Sequence, residues 1–308
     1  MMQTFMVQEA AVRAHRPERS SWQGPLCMVA AMGCWSANDV LVKICAERLP
    51  VGPILAIRGA FALALLLMLM GLARERMTWS TLKNRAVALR CSLEVGAAAT
   101  SAWALSQAAL AVVTGLSMLA PLLVVAAATL LGWERASGRA WFSGMLGLLG
   151  ALLTIAPWGA QPTGIGGMVA ALACAFCLAA RDLSTRHLST SLTPRALTIV
   201  TTATVCGVGI LAWAATPAAA AVSFDPATIG SLAAAACCAT AGNLLLVGAL
   251  RKGELGQVMP FRFTLLAWAA GFGWLIWRET LTTTSVLGLV LIGAAGIGAL
   301  KGSRPRRP

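Results

Sequence analysis

Long apolar stretches, rather than short alternating ones, dominate the pattern of this chain. Each stretch is bounded by glycine, proline or charged residues. A helix needs about 20 apolar residues to cross the hydrocarbon core of a bilayer, so each stretch predicts one membrane-spanning helix. The ten predicted helices lie near residues 25–45, 51–73, 87–108, 112–132, 140–157, 164–181, 196–216, 228–250, 256–277 and 285–301.

Composition supports the same fold class. The chain has 308 residues, of which 58% are hydrophobic and 11% are charged, and its mean hydropathy is +0.77. These values are far from those of ordinary soluble domains. Ten crossings with short loops use nearly the whole length, which leaves no room for a soluble catalytic domain. The sequence therefore predicts an all-α polytopic membrane protein in contact with the lipid bilayer.

The distribution of positive charge predicts the topology. A net charge of +13 would suit nucleic-acid binding, but the cations lie between apolar stretches instead of along one surface, so we expect no nucleic-acid partner. Lys and Arg are retained in cytoplasmic loops during insertion. With a cytoplasmic N-terminus, 18 of the 24 Lys and Arg residues fall on the cytoplasmic side, and three fall on the other. We expect a bacterial inner-membrane protein with both termini in the cytoplasm.

The two halves of the chain share an internal repeat. A glycine, an aspartate and a basic residue recur 143 positions apart, as Gly24, Asp39 and Lys43 and then Gly167, Asp182 and Arg186. We place one five-helix repeat at 24–158 and another at 164–301, with tails at 1–23 and 302–308. An odd number of helices per repeat inverts the second repeat relative to the first. Inverted repeats are typical of alternating-access carriers, whose substrate site lies near the midplane.

Several short motifs, in order along the chain, carry a family resemblance. They are Trp35-Ser36-Ala37-Asn38-Asp39 to Lys43, Arg58 after Pro53, Ser117 to Pro121 leading to Gly132-Trp133-Glu134, Arg181 to Arg186, and Pro260-Phe261-Arg262-Phe263 leading to Trp277-Arg278-Glu279. With these the chain resembles the ten-helix EamA-type branch of the drug/metabolite transporter superfamily. The resemblance implies an inverted-repeat fold and secondary active transport, often export, of amino acids, nucleotide-related metabolites or vitamins. Both repeat ends depart from the usual Leu-Gly-Glu of that family, which implies locally rearranged packing if that glycine serves close contact.

Charged residues inside apolar stretches are the candidate functional residues. Placing one at the bilayer centre costs about 2.5 to 3.5 kcal/mol, so each needs a reason. Asp39 and Lys43 stand one helical turn apart, as do Arg90 and Glu94, and either pair is interpreted as a structural ion pair or as part of the mechanism. In the functional interpretation Glu94 or Asp39, held partly dry, exchanges a proton as the substrate moves.

Arg58 and Arg262 differ from these pairs because no carboxylate lies within a turn of either on its own helix. Each must find a partner across the bundle, at an interface or in the substrate. A guanidinium group offers a rigid fork for carboxylate or phosphate, so we hypothesise a substrate with an anionic group. The candidates to complete the site with hydrogen bonds or stacking are Asn38, Gln107, Asn243, Trp35, Trp103 and Trp268.

Two other classes of function compete with a coupled carrier. An uncoupled facilitator or channel for small solutes would need no membrane-embedded carboxylate for coupling. A lipid-modifying enzyme is disfavoured, because the two histidines, His15 and His187, belong to no cluster with ligand spacing and no Gly-x-Ser-x-Gly elbow is present. We expect no enzyme activity, no cofactor and no metal, and the sequence leaves a homodimer open.

Overall fold

A computed structural model describes residues 22–46, 48–74, 85–107, 110–134, 136–155, 165–187, 194–215, 225–278 and 282–301. Every regular element in these ranges is helical. The elements are α1 (Gln23–Ala46), α2 (Val51–Leu72), α3 (Arg85–Gln107), α4 (Leu110–Ser117), α5 (Ala120–Leu130), α6 (Gly138–Ile155), α7 (Ile165–His187), α8 (Pro194–Ala214), α9 (Pro226–Lys252), α10 (Leu255–Val258), a 3-10 helix (Met259–Phe263), α11 (Thr264–Phe272), a π-helix (Gly273–Trp277) and α12 (Thr283–Lys301).

The predicted apolar stretches and the observed helices agree closely in position. Within the described residues, eight helices are long and apolar enough to cross a membrane, which makes the chain a multi-pass membrane protein. The predicted third stretch forms α3, which is long but carries Arg85, Arg90 and Glu94. The count of ten crossings and the inverted repeat stay predictions. Residues 1–21 and 302–308 of the predicted tails lie outside the described residues, and Gln23 already belongs to α1.

The predicted fourth helix, 112–132, is divided into α4 and α5. The amides of Met118 and Leu119 bond three residues back, to Gly115 and Leu116, at 3.2 and 3.0 Å. Pro121 then occupies the first turn of α5, where its missing N–H leaves no helical bond unmade. At the other end Gly132 adopts φ 69°, and no heavy atom lies within 4 Å of a Cβ built there. This glycine therefore ends the helix instead of serving close packing.

The predicted ninth helix, 256–277, is interrupted as well. Four residues of α10 lead into the 3-10 helix, which carries Pro260 in its first turn and Arg262 in its last. Because proline donates no backbone hydrogen bond, the regular α-helical ladder cannot continue through it. The segment resumes as α11 and finishes as a π-helix, with Arg278 in the left-handed region at φ 57°.

The packing pairs the predicted halves with one another. The most extensive contacts join α1 to α9, α6 to α12, α2 to α8 and α3 to α7. Exchanging each helix of the first predicted half with its counterpart in the second turns the α1–α9 contact into the α7–α3 contact. It also maps the α2–α8 and α6–α12 contacts onto themselves. These four most extensive contacts are therefore unchanged by the exchange.

Glycine permits the close approach of α2 and α8. A Cβ added at Gly209 would lie 2.6 Å from the Ala56 backbone nitrogen and 2.8 Å from Leu55 Cβ. Two residues earlier on α8, a Cβ at Gly207 would meet nothing within 4 Å. Alanine substitutions at these two glycines therefore separate the effect on the α2–α8 contact from the effect on helix propensity.

We expect Gly209→Ala to lower the free energy of unfolding by about 1 to 3 kcal/mol, because the added methyl forces the α2 backbone away. Gly207→Ala adds the same methyl to open space and should be neutral or stabilising by up to about 1 kcal/mol through helix propensity. Unfolding of both variants in detergent micelles checks this. Equal losses of stability would contradict the described α2–α8 contact.

Candidate functional site

A cavity of about 370 Å³ lies inside the helix bundle. Its volume falls in the range of small-molecule sites. Seven helices, α1 to α4 and α7 to α9, contribute to its wall. The polar and aromatic lining residues, together with the one cysteine, are Trp35, Arg58, Glu94, Ser101, Ser117, Cys174, Arg181, Thr201, Thr202, Thr240 and Asn243.

Arg58 on α2 provides one charged part of the wall. Its NH1 donates to Asn38 Oδ1 at 2.7 Å, and Asn38 Nδ2 donates to Asp39 Oδ1 at 3.0 Å. Asn38 is buried, whereas Asp39 is exposed. Among the described residues no carboxylate forms a direct ion pair with Arg58. On the protein side the guanidinium therefore bonds to a neutral amide, and the charge of Asp39 acts on it from beyond that amide.

Glu94 on α3 and Arg181 on α7 provide a second charged part. Arg181 NH1 donates to Glu94 Oε1 at 3.1 Å, and Arg90 NH1 donates to Glu94 Oε2 at 3.3 Å. Each carboxylate oxygen of Glu94 therefore has its own guanidinium partner. The ion pair between Glu94 and Arg181 links α3 directly to α7.

Asp182 extends this network away from the cavity. One of its oxygens accepts from Arg181 Nε at 2.9 Å, and the other accepts from Arg262 NH1. Arg90 also donates through Nε to Thr185 Oγ1 at 2.8 Å. Glu94 and these four charged partners are called the arginine cluster below: Arg90, Glu94, Arg181, Asp182 and Arg262.

Neutral groups complete the wall. The hydroxyl of Thr240 is buried and has no hydrogen-bond partner among the described residues. Asn243 lies one turn further along α9 and also lines the cavity. Gly242 leaves room for Trp35, because a Cβ there would lie 3.0 Å from the indole Cδ1. The cavity thus offers hydrogen bonds and an aromatic surface beside its charges.

The remaining candidates from the sequence lie elsewhere. Lys43 is exposed near the end of α1, and Trp103 is 55% exposed and absent from the lining. Trp268 donates from Nε1 to the Val29 carbonyl at 3.2 Å. Gln107 ends α3, and its side chain lies outside the described part. Arg262, one of two arginines proposed to bind substrate, is directed to Asp182 instead of the cavity.

Arg181 and Asp182 are more central to the charged network than the sequence predicted. Arg181 is the last residue of the predicted helix at 164–181 and Asp182 follows it, but α7 continues to His187. One signal was available, because Asp182 is the repeat counterpart of Asp39. Nothing in the sequence singled out Thr201, Thr202 or Thr240. Among the described residues, no group of three His, Cys, Asp or Glu side chains could hold a metal ion.

Comparison with known families identifies the chain. The EamA-like transporter family matches residues 22–156 and again residues 165–300. These matches cover most of the chain, so it belongs to the EamA-like transporter family. It is a membrane transporter of a small molecule and not an enzyme. Both matched segments contribute helices to the cavity wall.

Individual relatives are more distant. The chain is 26% identical over 288 residues to the pseudopaline exporter CntI of Pseudomonas aeruginosa strain UCBPP-PA14, and equally to that of strain PAO1. The alignments cover 89% of this chain and 94% of each relative. The fold is also similar to that of a protein of known crystal structure, with a TM-score of 0.79 at 16% identity. That comparison covers 94% of this chain and 100% of the other.

Removing Asp182 should destabilise the protein strongly. Asp182→Ala leaves Arg181 and Arg262 without their shared carboxylate, and breaking a buried pair in this way costs about 3 to 5 kcal/mol. Asp225→Ala is the matched control, because Asp225 pairs with Arg48 at 3.0 Å in an exposed position. Exposed pairs contribute about 0 to 1 kcal/mol. Unfolding in detergent measures both, and similar small losses would contradict a structural role for Asp182.

Proposed function

We propose that this protein is a secondary active carrier whose substrate is a small organic metabolite with an anionic group. Amino-acid-like, nucleotide-related and vitamin-like compounds fit the cavity volume. The observation that carries the proposal is Arg58, a guanidinium in the cavity wall whose hydrogen-bond partner in the described part is the neutral amide of Asn38. A carboxylate or phosphate can bind the remaining donors of this rigid fork.

Neutral residues of the same wall support the proposal. Thr240 presents a buried hydroxyl with no protein partner in the described ranges, so it is free to bond to a ligand. Asn243 adds an amide and Trp35 an aromatic surface. A solute that places its acidic group on Arg58 would therefore meet further polar and stacking contacts within one cavity.

Alternating access is the transport mechanism that we propose. Three observations support it. The family matches the chain twice, once in each half, and the four most extensive helix contacts are unchanged when the halves are exchanged. Both halves also contribute to the wall of one cavity. We propose ten crossings in two inverted repeats, a bacterial inner-membrane location and cytoplasmic termini, on the basis of the distribution of Lys and Arg. The relatives are named exporters, and we propose the same outward direction here.

Proton coupling is assigned to Asp39 in this proposal. Glu94 accepts hydrogen bonds from two guanidinium groups, so protonating it would break two ion pairs. Asp39 is exposed and accepts from the Asn38 amide, which also binds Arg58. A proton on Asp39 would therefore change the electrostatic surroundings of Arg58 without breaking a direct ion pair.

Counterflow into proteoliposomes tests the proposed substrate class. A panel of amino acids, nucleotide-related metabolites and vitamins is offered, and we expect exchange only of acidic compounds. Arg58→Gln should reduce the exchange at least tenfold, since it removes the charge that binds the acid. Arg48→Gln, which removes an exposed arginine paired with Asp225, should leave it unchanged. Exchange of only cations or neutral apolar compounds would overturn the anionic substrate.

Proton movement tests the coupling residue. We expect Asp39→Asn to abolish lumenal pH changes driven by a gradient of the exchanged compound, while counterflow of that compound continues, because exchange needs no net proton transfer. Asp225→Asn serves as the control for an exposed carboxylate. Full proton movement in Asp39→Asn would remove Asp39 from the mechanism. If the unmodified protein moved no protons, the uncoupled facilitator would be favoured.

A further inference from the structure

Cations outnumber anions in the arginine cluster. Arg90, Arg181 and Arg262 bring three positive charges, whereas Glu94 and Asp182 bring two negative ones. The five side chains are between 1% and 23% exposed. A buried charge without a counter-charge is strongly unfavourable. The cluster itself is therefore short of one anion.

Arg181 is the cation of the cluster that reaches the cavity. Of the five members, only Glu94 and Arg181 belong to the lining. Nε and NH2 of Arg181 lie 2.9 and 2.8 Å from Asp182 Oδ1, which fixes the plane of the guanidinium. NH1 at the other end bonds to Glu94. The carboxylate of Glu94 thus occupies NH1, the guanidinium nitrogen that does not face Asp182.

Glu94 can be displaced from this position without becoming unpaired. Its second oxygen accepts from Arg90 NH1 at 3.3 Å. If Glu94 left Arg181, Arg90 would still neutralise it, and Asp182 would still hold Arg181 in place. An incoming carboxylate on Arg181 NH1 would also supply the anion that the cluster lacks. Exchange of one carboxylate for another therefore leaves every buried charge with a partner.

We propose that Arg181 is a second anion-binding residue of the cavity, and that an acidic group of the substrate replaces Glu94 on it. Preferred substrates then carry two acidic groups, one bound by Arg181 and one bound by Arg58. The binding of an acidic group by Arg58 rests on the proposed function. Binding would also break the direct ion pair between α3 and α7, so that occupancy of the cavity loosens the contact between these helices.

The sign and position of the charge can be measured with thiol reagents that need no known substrate. The nine cysteines are free, and they are replaced by alanine in a full-length variant that carries Ser101→Cys in the cavity wall. An anionic sulfonatoethyl and a cationic trimethylammonioethyl methanethiosulfonate are reacted with the detergent-purified protein. The ratio of the anionic to the cationic rate reports the local affinity for anions. Retaining the native Cys174, another lining residue, supplies a second reporter.

Three substitutions distinguish direct binding of an anion by Arg181 from a general electrostatic attraction of anions by the positive charges of the arginine cluster. Arg181→Gln should lower the rate ratio about tenfold, as expected for removal of one positive charge from the wall of a cavity shielded from bulk water. Arg90→Gln also removes one positive charge and one guanidinium partner of Glu94. Because Arg90 lies outside the lining, this substitution should lower the ratio less. Glu94→Gln should raise it. Equal effects of Arg181→Gln and Arg90→Gln, or no rise with Glu94→Gln, would overturn the proposal.

Protection by glutarate tests the requirement for two acidic groups. Excess glutarate should slow labelling of Ser101→Cys more than glutaric acid monoamide does, and Arg181→Gln should abolish that difference. Equal protection by the two compounds would overturn the two-acid substrate. The labelling rates are measured without any transport assay. If Arg58→Gln left the rate ratio unchanged while Arg181→Gln lowered it, the role proposed for Arg58 would fail and that of Arg181 would stand.

Discussion

A lipid bilayer supplies neither a counter-charge nor a hydrogen-bond partner at its centre, and this constraint determines where the charged residues of the spanning helices lie. Glu94, Arg181 and Asp182 satisfy one another inside the bundle, and Arg58 reaches Asn38. These pairings hold helices together as well as neutralising charge, since the ion pair of Glu94 with Arg181 joins α3 to α7. Three of these groups, Arg58, Glu94 and Arg181, also belong to the polar wall of the cavity. One arrangement of charges therefore serves both the fold and the proposed binding of a small acid.

The interrupted helices belong to the same arrangement. Backbone that departs from the α-helix is tolerated at membrane depth where it is buried in protein or lines a cavity. Ser117, the last residue of α4, lies in the cavity wall, and the 3-10 helix after α10 carries Arg262 to Asp182. Both interruptions fall at corresponding places in the two predicted halves. The first break therefore lies in the cavity wall, whereas the second is buried against Asp182, away from the cavity.

The sequence predicted the helices well because the apolar length signal is strong, and α1 at Gln23–Ala46 differs from the predicted 25–45 by two residues or fewer at either end. It missed the divisions at Pro121 and Pro260, since proline at such positions is compatible with either a kinked or an interrupted helix. It found the pairing of Arg90 with Glu94, which stand one turn apart. The sequence did not predict the pairing of Arg262 with Asp182 or of Arg181 with Glu94, because the paired residues are 80 and 87 positions apart. Contacts across the bundle depend on helix packing that a single sequence does not contain.

Sided accessibility of the cavity tests the central claim, that one cavity between two halves opens to each side of the membrane in turn. Thr202→Cys places a cysteine in the cavity wall on α8, in a variant whose nine native cysteines are replaced by alanine. This cysteine is labelled with a membrane-impermeant maleimide in right-side-out and in inside-out vesicles. The account predicts labelling from both sides, with a gradient of the transported acid raising one rate as it lowers the other. Labelling from one side only, or a gradient that raises both rates together, would contradict alternating access through this cavity.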